Sequence, residues 1–228
     1  MKKLKRQFQI FQNKIIEILK NIIFKRTDIL TGEELAGFNN ISNNTKAIFV
    51  KQKNLRQLNN IYYIWDYNDN FKKLIYKYKF NRRIELSSDI AKLIEKEINF
   101  VIKREKIDYI VSVPINKKRF NERGFNQVDE ILKKLNINYV KLERIKNTKK
   151  MHSILNEQER IKNVKNSFFN KERIDFSNKN ILLFDDIITT GSTLRSLKYE
   201  IQKDNKNVKI VVFCLAAARE IRKYKGEV

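Results

Sequence analysis

The sequence predicts an α/β fold, a mainly parallel sheet flanked by helices, with a small helical and irregular region ahead of it. Three observations carry that expectation. After Lys106, short apolar runs alternate with helical stretches, the rhythm of right-handed β-α-β crossovers. The runs ILLF (181–184) and IVVF (210–213) are apolar without alternation, as a strand covered on both faces requires. Five glycines and one proline in 228 residues leave few breaks, so regular elements should dominate.

Residues 1–26 carry Leu4, Phe8, Phe11, Ile15, Ile18, Leu19, Ile22 and Ile23 at helical spacing with lysines between them. This is a helix packed on the rest of the protein, or a basic amphipathic helix lying on a membrane or a partner. Residues 27–60 are polar and weakly patterned, with one expected strand, AIFV, at 47–50. From Ile61 the pattern firms. Phe71, Leu74, Ile75 and Tyr78 share one helical face, as do Ile84, Leu86, Ile90, Leu93, Ile94 and Ile98. Strands are expected at 107–115, 137–145, 180–188 and 208–216, and helices at about 125–135 and 192–204. No internal repeat is apparent.

The formal charge is +23, from 49 Lys+Arg against 26 Asp+Glu. Such a chain attracts polyanions: nucleic acid, an anionic membrane surface or phosphorylated small molecules. A genome rich in A and T also produces it, because the codons of Lys, Asn and Ile crowd the sequence. The two readings are compatible. Cys214 is the single cysteine, which excludes an internal disulfide and a multi-cysteine zinc site. In its apolar run it should be a buried thiol. No secretory signal is evident, since polar residues interrupt the apolar ones after Met1, and no stretch is long and apolar enough to span a bilayer. A cytoplasmic protein is expected.

The chemistry concentrates in Ile181–Leu194, ILLFDDIITTGSTL. A buried strand ends in Asp185 and Asp186, a hydroxyl-rich loop with one glycine follows, and a helix begins. Ligands of open α/β sheets collect at the carboxyl ends of strands, where this loop falls. Backbone N–H groups of Thr190 through Thr193 would meet a phosphate at the helix N-terminus. Thr189, Thr190, Ser192 and Thr193 add hydroxyls, and Gly191 permits close approach. Asp185 and Asp186 can accept hydrogen bonds from vicinal ribose hydroxyls, or hold Mg2+ directly or through water. Helix capping alone would account for one such side chain, not for two carboxylates and four hydroxyls.

Four apolar residues, two acids, two variable residues and Thr-Thr-Gly resemble the 5-phosphoribosyl-1-pyrophosphate (PRPP) signature of type I phosphoribosyltransferases. Val113-Pro114, Lys118-Arg119 and Arg123-Gly124-Phe125-Asn126-Gln127 resemble the "PVP…R…RGFNQ" block of the ComF family, competence-associated proteins with a phosphoribosyltransferase-like domain. Tyr67…Leu74-Ile75…Lys79-Phe80 resembles a further element of that family, and so does Thr148…Leu155…Arg160…Asn163-Val164…Phe168. The likeness runs from Tyr67 to Ala217. It implies a type I phosphoribosyltransferase fold over 67–228, with 1–66 as a counterpart of the family's zinc element that has lost its cysteines, so no zinc is expected.

The resemblance also implies roles. Ser112, Val113 and Pro114 would form the pyrophosphate-binding loop, with Lys118, Arg119 and Arg123 supplying charge to the pyrophosphate. Lys146–Arg160, with the sole histidine His152, corresponds to a loop that covers the site in relatives. His152 itself is expected to face solvent, the alternative being a catalytic acid or base. Asp185 and Asp186 would be catalytic, in a Mg2+-dependent transfer of the phosphoribosyl group to an unidentified nitrogen acceptor. Thr189 stands where purine salvage enzymes carry a carboxylate, which counts against a hypoxanthine-guanine activity. The alternative is a non-catalytic accessory factor in DNA uptake that binds single-stranded DNA or a helicase partner. Trp65, Phe120 and Phe125 are then candidates for stacking on bases.

Overall fold

The computed structural model describes residues 26–36, 39–144, 168–169 and 174–222. The amphipathic stretch at 1–25, the segment 145–167 with His152, and the last residues lie outside that set. The chain forms two compact units, residues 1–51 and 52–228.

In the smaller unit a tight loop is closed by a bridge between Thr27 and Glu34. Its centre is the buried carboxylate of Asp28. This accepts hydrogen bonds from the N–H groups of Leu30, Thr31 and Ser42 and from the hydroxyls of Thr31 and Thr45. Helix α1 (Asn43–Gln52) follows. The strand expected at 47–50 is therefore a helical segment. The reason is local: Ser42 caps the helix by accepting from the Thr45 N–H at 3.1 Å. Phe49 is fully buried while the adjacent Val50 is 54% exposed, so four β-formers in a row did not outweigh the cap.

The larger unit is built on a six-stranded sheet. Its strands are β1 (Arg56–Leu58), β2 (Ile61–Asp66), β3 (Tyr109–Ser112), β4 (Val140–Lys141), β7 (Asn180–Ile188) and β8 (Lys209–Ala217), in the order β1-β2-β8-β7-β3-β4. Only β1 and β2 are antiparallel. They turn at Asn59, whose φ of 51° closes a two-residue hairpin. Residues 56–66, grouped above with the N-terminal region, thus belong to the main sheet. The strand expected at 137–145 is two short pieces: β4 in the main sheet, and β5 (Glu143–Arg144) paired with β6 (Phe168–Phe169).

Connecting helices are α2 (Asp69–Phe80), α3 (Leu86–Arg104), α4 (Lys117–Arg123), α5 (Gln127–Lys134), α6 (Ser192–Asp204) and α7 (Arg219–Arg222). Helix α4 was not expected. It begins on Asn116, which accepts from the Arg119 N–H, and stops at Gly124 with φ 83°. On one face of the sheet Ile181 and Leu183 of β7 and Ile210, Val212 and Cys214 of β8 pack with Leu194, Leu197 and Ile201 of α6. Alternate residues face the other side, where Phe184 meets Phe213 edge-on at 5.3 Å. Both faces are apolar, which is why ILLF and IVVF show no alternation. No described helix is long and apolar enough to cross a membrane.

Candidate functional site

Parallel pairing places the carboxyl ends of β2, β3, β7 and β8 along one edge. Ser112 stands opposite Phe184, Asp185 opposite Cys214, and Ile188 opposite Ala217. The Val113 N–H donates to the Phe184 carbonyl at 3.0 Å, which fixes the loop after β3 beside the acid pair. Asn126 ties α5 to the same loop, donating to the Val113 carbonyl at 3.1 Å while its side-chain oxygen caps the helix at Val128. The asparagine of the RGFNQ block thus acts as a brace.

After β7 the chain wraps a small cavity of about 40 Å3, lined by Asp185 and by residues 187–194. A water needs about 10–15 Å3, so this cup holds roughly three or four oxygen-sized groups, the number on a phosphate ester. Gly191 is the N-cap of α6 with φ 69°, a conformation that costs other residues strain. The first N–H groups of α6 have no intrahelical acceptors, and no side chain caps them. Thr190 donates to the Ser192 hydroxyl at 3.3 Å, and Arg195 holds the Thr190 carbonyl at 2.7 Å. Thr189 and Thr190 are exposed; Ser192 and Thr193 are half-buried. Six of the seven residues expected here line the cup, and Asp186 does not.

The two carboxylates differ. Asp186 is buried and makes an ion pair with Lys79 of α2, Nζ to Oδ2 at 2.7 Å, with both side chains nearly out of solvent. Asp185 accepts only the Asp186 N–H, at 2.8 Å, among the bonds seen for its carboxylate. Burial, then the charge of Asp186, pushes its pKa up to about 7, against the pull of Lys79 and Arg119.

Around the pair, Ser112, Val113 and Pro114 are buried as part of the strand-end loop, and Lys118 and Arg119 are exposed on α4. Arg123, expected with them to supply charge to the pyrophosphate, is buried. Its NH1 donates to the Gln127 side chain at 2.9 Å, and its guanidinium lies 5.4 Å from the Phe80 ring centre. Desolvation lowers its pKa, while the charge of Asp186 holds it up. Beside Ser112 and Pro114 opens a larger cavity of about 610 Å3, with Lys117, Lys141 and Arg144 in its wall. The sequence reading named none of these cations and gave Lys79 no role. Trp65 and Phe125 are in the core and unavailable for stacking, whereas Phe120 is 48% exposed.

Magnesium would fall to Asp185 and Asp186, and the pair does not fit a direct two-carboxylate site. Lys79 occupies Oδ2 of Asp186, and the Asp186 N–H occupies Oδ1 of Asp185. No group of three or more His, Cys, Asp or Glu among the described residues is arranged to hold a metal.

Residues 84–228 match the family described as the phosphoribosyl transferase domain. Competence protein ComFC of Streptococcus pneumoniae is 32% identical over 135 residues, covering 59% of this chain and 58% of that protein. The DNA utilization protein YhgH of Escherichia coli is 29% identical over 159 residues, covering 66% and 68%. The match thus spans less than two thirds of the first relative and slightly more of the second. A crystal structure of adenine phosphoribosyltransferase superposes with a TM-score of 0.41 at 14% identity, over 78% of this chain and 92% of that one. That likeness is too distant to speak to the site.

Proposed function

This chain belongs to the phosphoribosyl transferase domain family, in the branch of the ComF competence proteins, and we propose that it binds PRPP at the carboxyl edge of its sheet. The observation that carries the reading is the phosphate-sized cup between Asp185 and the uncapped N-terminus of α6. The 5′-phosphate sits in the cup, held by backbone N–H groups and by Thr190, Ser192 and Thr193. Asp185 lies at its rim as acceptor for a ribose hydroxyl. Ser112–Pro114 and Arg119 face the pyrophosphate, with Lys118 as a further cation.

Transfer follows from this placement. A nitrogen nucleophile forms a bond to C1 of the ribose as the C1–O bond breaks, and the electron pair leaves on pyrophosphate. Positive charge grows on the sugar next to the carboxylates, which contribute fixed electrostatics and positioning. Magnesium enters as part of the substrate, on the pyrophosphate. The acceptor is a nitrogen compound whose identity a screen for pyrophosphate release would supply.

The test is 31P NMR of PRPP with magnesium. The 5′-phosphate resonance should shift and broaden with wild type and stay unchanged with Gly191→Val, which cannot hold the φ of 69° that shapes the cup. An unchanged resonance with wild type would refute the reading.

A second reading has specific support in the names of the relatives and in the +23 charge. On it the protein is an accessory factor in DNA uptake, acting on single-stranded DNA or with a helicase partner in the cytoplasm. It requires salt-sensitive binding of a labelled single-stranded oligonucleotide that persists in Asp185→Asn/Asp186→Asn. Loss of binding in that variant would contradict it.

A further inference from the structure

The lysine that reaches Asp186 comes from a distant part of the chain and is almost enclosed. Lys79 lies in the last turn of α2, one residue after Tyr78, which is wholly buried and donates its hydroxyl to the Gln127 carbonyl at 2.8 Å. Tyr78 also packs on Phe125, ring centres 5.4 Å apart. The helix end is therefore anchored, and the Lys79 stem extends from a fixed point to the end of β7. Its side chain is 13% exposed and that of Asp186 11%. Four more groups lie within electrostatic reach of Asp186: Arg123 of α4, the Tyr78 phenol, Cys214 of β8 and Asp185 itself. The Lys79 ammonium is the direct ion-pair partner of Asp186.

An enclosed ion pair is costly to form, because both charges leave water, so it is weak evidence for a stabilising role. Its placement is better explained by what it does to the neighbouring carboxylate. Two adjacent acids at a phosphate site would repel PRPP, a ligand of several negative charges. An ammonium at 2.7 Å cancels one acid locally and fixes its rotamer. Asp185 is then left as the one carboxylate of the pair facing the cup.

We propose that Lys79 is the resident counter-cation of the acid pair and a positioning residue for PRPP. It takes the place at Asp186 that a directly bound divalent ion would need, so the metal arrives on the ligand and not on the protein. The proposal rests on the PRPP reading above, and its test separates the two.

Manganese alone is first titrated into the full chain, read by the loss of its free-ion paramagnetic resonance signal. Wild type should show no site that Asp186→Asn removes. A site present in wild type and absent in Asp186→Asn overturns the proposal, whether or not PRPP binds. PRPP with magnesium is then titrated calorimetrically into Lys79→Gln, whose amide still donates to Asp186 without carrying charge, and into Lys79→Arg. Lys79→Gln should lose roughly 10- to 100-fold in affinity at a temperature where its melt shows it folded, with Lys79→Arg recovering most of it. Wild-type affinity in Lys79→Gln overturns the role. If wild type itself ignores PRPP, the function reading fails while the manganese result still decides who occupies Asp186.

Discussion

Two aspartates of this protein are treated in opposite ways. Asp28, 2% exposed, is surrounded by donors: three backbone N–H groups and two hydroxyls. Burial alone would raise its pKa. The bonds from Ser42, Thr45, Thr31 and Leu30 override that and hold the carboxyl far below its ordinary range. Asp185 at the end of β7 has one such donor, and burial with the charge of Asp186 prevails, so its pKa rises. A carboxylate used for architecture is saturated by the chain itself. On the function proposed above, Asp185 is left under-satisfied until PRPP supplies the donors.

The comparison breaks first at Asp28. Asp28→Ala strands several buried donors and should cost about 3 kcal/mol or more, read as a lower urea midpoint and as faster hydrogen exchange at Leu30 and Ser42. Asp185→Asn should do the reverse: lose PRPP affinity by about tenfold or more while the urea midpoint stays level or rises, because a desolvated charge beside Asp186 has gone. A fall in midpoint as large as that of Asp28→Ala would show that Asp185 is structural.

The pH dependence sharpens the contrast. The Asp185 pKa is raised on folding, so ionising it penalises the folded state as pH climbs from about 4 to about 7. The Asp28 pKa is depressed, so its stabilisation is complete above about pH 4 and is lost on acidification below that. Urea midpoints against pH should show both limbs, with Asp185→Asn flattening only the upper one. The smallest effect is at the α1 cap: Ser42→Ala should cost about 1 kcal/mol and leave PRPP binding unchanged.

What the sequence revealed follows the same physics. Strand β7 and helix α6 were legible because an unbroken apolar run meets two acids and a hydroxyl loop, a contrast visible in a single line. Strand β8 was legible from its unbroken apolar run, and the buried faces of α2 and α3 from periodicity. Strand β2 was missed because Tyr62, Tyr63 and Trp65 suit a surface or a helix face as readily as a core strand, and only the pairing of Ile61 with Val212 marks the run as one. Helix α4 was missed because its apolar content is one exposed phenylalanine, so no period marks it. At 47–50 propensity pointed to a strand, while a serine cap five residues earlier decided for a helix. Lys79 stood in the sequence only as part of the Tyr67…Lys79-Phe80 resemblance; its pairing with Asp186 is set by the fold, which no local pattern shows.

The central claim is that Asp185 is kept for a ligand while Asp28 is kept for the fold. Parallel calorimetric titrations of PRPP with magnesium into wild type, Asp185→Asn and Asp28→Asn, each with its thermal melt, test it most directly. The account predicts that Asp185→Asn loses affinity with its melt unchanged or higher, and that Asp28→Asn melts lower with its affinity unchanged. Equal PRPP affinity in wild type and Asp185→Asn would contradict it.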